Sequence, residues 1–126
     1  MSNIKYGNAV IDKLYIKERV YLENNSKIDI EPSFEIKNSN FDAVSNRRYG
    51  IDTRNNTITA NLPSSPQAGD AVFFLDAFGT FATHNLIIDG NGKTILGTNN
   101  LSVTVNNDSI GAMFNGEEWR LYEWVS

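Results

Sequence analysis

Short runs of alternating apolar and polar residues, punctuated by asparagine and glycine pairs, set the character of this chain. The pairs fall at Asn24-Asn25, Asn55-Asn56, Asn91-Gly92, Asn99-Asn100, Asn106-Asn107 and Asn115-Gly116. Turn signals about every 8–12 residues are the spacing of an all-β domain. Between them, residues 57–60, 71–75, 85–88 and 101–105 read as strands, and "EWRLYEWVS" reads as a last one. The run Leu101-Ser102-Val103-Thr104-Val105 alternates apolar and small polar residues, as a half-buried strand does. No helical periodicity is sustained after Tyr49.

The first 45 residues differ. "VIDKLYIKERVYLENNSKIDIEPSFEI" is charged, with alternating apolar pairs at Leu14 and Ile16, Val20 and Leu22, and Ile28 and Ile30. Ile11, Leu14 and Tyr15 also sit at helical spacing, but the alternation favours extended strands. The segment lacks a large apolar cluster of its own, so it gains stability by pairing with another chain or with the rest of the domain. This predicts an N-terminal arm over residues 1–45 and a β-rich module over residues 46–126, with the boundary in the turn-rich "NSNFDAVSN".

Composition narrows the function. The 126 residues suit one domain with an arm, and 14 aromatics reinforce a modest core. A formal charge of −4 argues against a nucleic-acid partner, whose phosphates require a basic face. Cysteine is absent, which excludes disulfides and thiolate metal sites. The start, Met1-Ser2-Asn3-Ile4-Lys5-Tyr6, has no basic stretch followed by an apolar run. No stretch approaches the ~18 apolar residues of a membrane span. The expectation is a protein made in the cytoplasm, with no membrane insertion.

Candidate chemistry is sparse. "IDGNGKT" ends like a phosphate-binding loop, yet the glycine required five residues before Gly92 is Ile87, and no helix can follow. A hairpin reads better: "LII" as one strand, "DGNG" as the turn, "KTIL" as the return. The same stretch starts like a calcium loop but places Lys93 at the third ligand and lacks the closing Glu. His84 is the single histidine, and without further ligands it makes a poor zinc site. Asp70, Asp76, Glu117 and Glu118 are the carboxylates a glycosidase would draw on, but a deep cleft is hard to build in so small a domain. Arg47-Arg48 suits a surface ion pair or a subunit contact. The glycosylation sequons at Asn24, Asn55, Asn100 and Asn107 carry little weight without a secretory signal. The expectation is no catalytic residue, no cofactor and no metal.

Residues 49–122 carry a resemblance. Asp52-Thr53, Leu62-Pro63, Pro66, Gly69-Asp70, Asp76-Ala77, Gly79-Thr80-Phe81, Gly92, Ile95, Gly97, Gly116 and Trp119-Arg120-Leu121-Tyr122 follow one another in a fixed order. This order resembles a β-rich module of bacteriophage virion proteins, found in tail fibres and other surface appendages. His84 stands where that pattern tends to have Asn. The resemblance implies an antiparallel sandwich or jelly-roll-like domain, assembled as a trimer, in a non-enzymatic virion protein. That protein would be a capsid decoration protein, or a short tail-fibre or adaptor module, contacting a major capsid or tail protein. The alternative is a lectin-like domain whose exposed Tyr and Trp stack on host-surface glycan. Under strand alternation, Trp119 and Trp124 point to opposite faces, one inside and one outside.

Overall fold

The computed structural model describes residues 33–123. Among these, the strands are β1 Glu35–Lys37, β2 Phe41–Asp42, β3 Arg47–Ile51, β4 Ile58–Asn61, β5 Ala71–Asp76, β6 Leu86–Asp89, β7 Asn100–Val103, β8 Ser109–Phe114 and β9 Trp119–Glu123. No helix interrupts them. β1, β3 and β5 enter one sheet, while β2, β4 and β6 enter the other, so each pass of the chain leaves one strand in each sheet. Successive passes stack in parallel, with Tyr49 beside Phe74 and Ile58 beside Leu86. Parallel neighbours need a crossover, and here the crossover is a strand of the opposite sheet. After β6 the chain reverses: β7 returns antiparallel on β6, and β8 runs antiparallel to β5. β9 then pairs antiparallel with β8. The five-stranded sheet has the order β9-β8-β5-β3-β1 and the four-stranded sheet β2-β4-β6-β7.

The all-β class matches the sequence expectation; purely antiparallel sheets do not. Four pairings are parallel and three antiparallel, so both sheets are mixed. Alternation encodes which face of a strand is buried and is silent about the direction of its neighbour. β1 and β2 also precede the expected boundary at residue 46. They pair with β3 and β4, and the compact unit begins at Ser33. The remainder of the expected arm, residues 1–32, lies outside the described residues, as does Trp124.

One hydrophobic cluster draws on both sheets. Tyr49, Ile51, Val72, Phe74, Ala112, Phe114 and Trp119 come from the five-stranded sheet; Ile58, Ala60, Leu86, Ile88 and Val103 come from the other. Burial of each large side chain contributes about 1.5–3 kcal/mol. Trp119 is fully buried and tilts against Phe114 at a centroid distance of 5.3 Å. Its indole N–H finds no acceptor among the described residues, which offsets part of that gain. On the other side of the five-stranded sheet, Gly111 pairs with both Phe73 and Tyr122. A Cβ on Gly111 would run into the Tyr122 ring, and its absence lets that ring stack with Phe73 at 5.8 Å.

The "DGNG" stretch is a turn, but not of the expected hairpin. Lys93 N–H donates to the Gly90 carbonyl at 3.1 Å, with φ of 52° at Asn91 and 98° at Gly92. The returning strand is β7, ten residues on, and "KTIL" instead carries Ile95 into bridges with Thr98 and Trp119. Backbone geometry therefore does the work in this stretch. Gly92→Val is expected to lower stability by about 1 kcal/mol or more, because a β-branched residue is strained at positive φ. Lys93→Ala is expected to change it by less than about 1 kcal/mol. Thermal melts of the two variants check this, and a melting temperature raised by Mg-ATP would contradict it.

Candidate functional site

Asp76, at the end of β5, is 6% exposed and binds four main-chain N–H groups. Its Oδ1 accepts from Gly79 at 3.0 Å and Thr80 at 3.1 Å. Its Oδ2 accepts from Phe81 at 3.1 Å and from Asn107, in the β7–β8 connection, at 2.9 Å. Gly79 takes φ of 71° to turn its N–H inward, and a Cβ there would press on the Asn107 side chain at 2.9 Å. The loop this creates places Phe81 in the core and Thr80 against Thr53, hydroxyl to hydroxyl at 2.7 Å.

His84 joins the same cluster. Its Nδ1 lies 2.9 Å from the Thr53 carbonyl, a geometry that calls for a protonated, donating Nδ1. Beside it, Arg54 Nε and Nη2 donate to the two Asp52 oxygens, both at 3.0 Å. The Arg54 guanidinium also lies over the Phe78 ring at 3.6 Å; Phe78 is still 48% exposed, whereas Phe81 is fully buried. The Arg54 hydrogen bonds hold the Asp52 carboxyl below its ordinary range. Three separate stretches of chain thus meet in one polar cluster, and each of its carboxylates is engaged by fixed donors.

The other sequence candidates are placed similarly. Asp70 accepts from Gln67 N–H at 2.9 Å and Ser45 Oγ at 3.1 Å. Glu118 accepts from Arg120, Thr94 and the Gly97 N–H, and the Arg120 and Thr94 bonds lead in holding its carboxyl low. Glu117 is a turn residue between β8 and β9 whose N–H donates to Asn115. Asp89 accepts from Asn91 N–H at 2.8 Å, closing the turn described above. Arg47 lies 3.9 Å from Glu35, and Arg48 stacks over Phe34 at 5.4 Å. Among the described residues, no three His, Asp or Glu side chains gather to hold a metal ion.

One feature escaped the sequence. An open groove of about 220 Å³ is lined by Asp108, Ser109, Ile110, Leu121 and Tyr122. Tyr122 is 43% exposed, and partial burial raises the pKa of its hydroxyl. Alternation along β9 gives Trp119 to the core and Tyr122 to this groove. Neither protein-family models nor curated proteins yield a match to this chain.

Asp76→Ala leaves four N–H groups without their acceptor and is expected to destabilise the fold by about 3 kcal/mol or more. His84→Asn, which keeps a donor, is expected to cost less than about 1 kcal/mol. Chemical denaturation of both variants checks the contrast. Stability should also fall with acid. Asp52 has a depressed folded pKa, so its contribution is complete above the unfolded value near 4 and is lost as pH drops through the folded one. The acid-side slope of stability against pH should be shallower in Asp52→Asn.

Proposed function

We propose that this chain is a non-enzymatic structural component of a bacteriophage virion, assembling with copies of itself and with a major capsid or tail protein. One observation carries the reading: the residues that resemble the virion module are those on which the fold turns. The glycines of the resemblance, Gly69, Gly79, Gly92, Gly97 and Gly116, are the glycines with positive φ among the described residues. Its Asp76 organises the loop, its Thr53 and Thr80 pair, and its Leu62, Phe81, Ile95 and Trp119 are fully buried or nearly so. Such a signature preserves a scaffold and leaves the surface free to vary. The two sheets over one core suit a sandwich, with the first 32 residues as an attachment arm and three copies around an axis. Capsid decoration and a short fibre or adaptor fit equally well.

A second reading is favoured by the Tyr122 groove, where an exposed aromatic lies beside Asp108. A sugar ring can stack on such a face while a carboxylate takes its hydroxyls. Buried Trp119 contributes nothing to that surface.

Mass spectrometry of gradient-purified virions of the encoding phage should recover the chain, and antibodies against it should label intact particles. Removing residues 1–32 should preserve the thermal transition and abolish particle labelling. Absence of the full chain from purified virions would refute the reading. Glycan-array binding that is lost in Tyr122→Ala would establish the second one.

A further inference from the structure

Among the described residues, the edge strands of the two sheets differ in how they are guarded. An unpaired strand edge offers N–H and C=O groups to any other strand, and proteins usually block it with charge, proline, a bulge or brevity. β1 carries Glu35 and Lys37, joined at 2.9 Å. β2 is two residues long and ends in Asp42. β9 carries Arg120, and Trp119 at its start is already bonded to Thr94 and Leu96. β7 has none of these guards. It lies within a stretch, residues 94–107, that contains no charged residue and no proline.

The register shows what β7 presents. Gly90 N–H donates to Asn99 C=O at 2.9 Å, which marks this pair as a hydrogen-bonded one in the β6–β7 ladder. Alternation then directs the main chain of Leu101 and Val103 toward β6. That of Asn100 and Ser102 is directed to the open side. The Asn100 carbonyl accepts from the Thr98 hydroxyl at 3.1 Å and retains a second lone pair. Among the described residues, nothing bonds Ser102 from that side.

We infer that β7 is a self-association edge, and that its occupant is the β7 of a second copy of this chain, antiparallel about a two-fold axis at Ser102. The strand is complementary to itself in that arrangement. Ser102 faces Ser102, Asn100 faces Thr104 of the partner, and Leu101 faces Val103. The partly buried Leu101 and the buried Val103 then all fall on the core side, and the exposed Asn100, Ser102 and Thr104 all fall on the other. Two copies of a chain with charge −4 repel one another in general, and a charge-free edge is where their approach is least opposed. Val105, 62% exposed just beyond the strand, comes opposite Asn99 of the partner and gains cover. A two-fold contact closes on itself and cannot propagate into a fibre.

The inference rests on the self-assembly part of the reading above and specifies a two-fold contact in place of three copies around an axis. Sedimentation velocity of the full chain over about a thousandfold range of concentration should show a monomer–dimer equilibrium. Ser102→Lys and Thr104→Lys each place like charges at the contact and should raise the dissociation constant about tenfold or more, with unchanged melting of the monomer. In amide exchange resolved by residue, Ser102 should become protected as concentration rises, while Leu101 and Val103 stay protected throughout. A monomer at every concentration would overturn both this inference and self-assembly. A trimer, or a dimer indifferent to both substitutions, would overturn this contact alone.

Discussion

The Asp76 carboxylate is the constraint on which the rest of this structure depends. Four main-chain N–H groups from two loops converge on its two oxygens. Hydrogen bonds to a charged acceptor contribute about 1.5–3 kcal/mol each, and this carboxylate is largely buried. The bonds decide geometry as well as energy. They bend residues 77–81 back over the end of β5, which sends Phe81 into the core and brings Thr80 to Thr53. The β7–β8 connection is drawn to the same point through Asn107. One side chain thereby joins the parallel part of the fold, ending at β6, to the antiparallel part that follows.

Winding explains why so small a core can be continuous. Each pass adds one strand to each sheet, so the inward residues of β3 to β6 lie beside those of the neighbouring pass and join one cluster drawn from both sheets. Burial is then highest in the middle strands, where β5 reads "AVFFLD" with few exposed positions. Among the strands at the margins, β1, β2 and β9 carry charged residues and β7 carries none.

Much of this was legible in the sequence, and the remainder was hidden for physical reasons. Residues 57–60, 71–75, 85–88 and 101–105 were readable as strands because alternation and flanking turn residues are local signals. β3 was hidden because it opens on Arg47-Arg48, and β8 because Gly111 leaves a gap where the Tyr122 ring lies. Strand direction was hidden because parallel pairing depends on the whole path between partners. The Asp76 cluster had a usable sign: an Asp followed at the third residue by Gly-Thr is the spacing of a side chain that caps its own turn. Its fourth donor, Asn107, is 31 residues away and leaves no such mark. The Tyr122 groove and the guarded or unguarded state of each edge exist only once the strands are ordered side by side.

The alternating path also bears on how such a chain can change in length. A single inserted residue within β3 to β6 would turn every later side chain of that strand to the wrong face. A whole extra pass would add one strand to each sheet, stack on its neighbour in the same register, and leave the Asp76 loop and the closing strands as they are. Growth by complete turns therefore keeps the register of every strand, and it lengthens each sheet along the direction in which the strands stack.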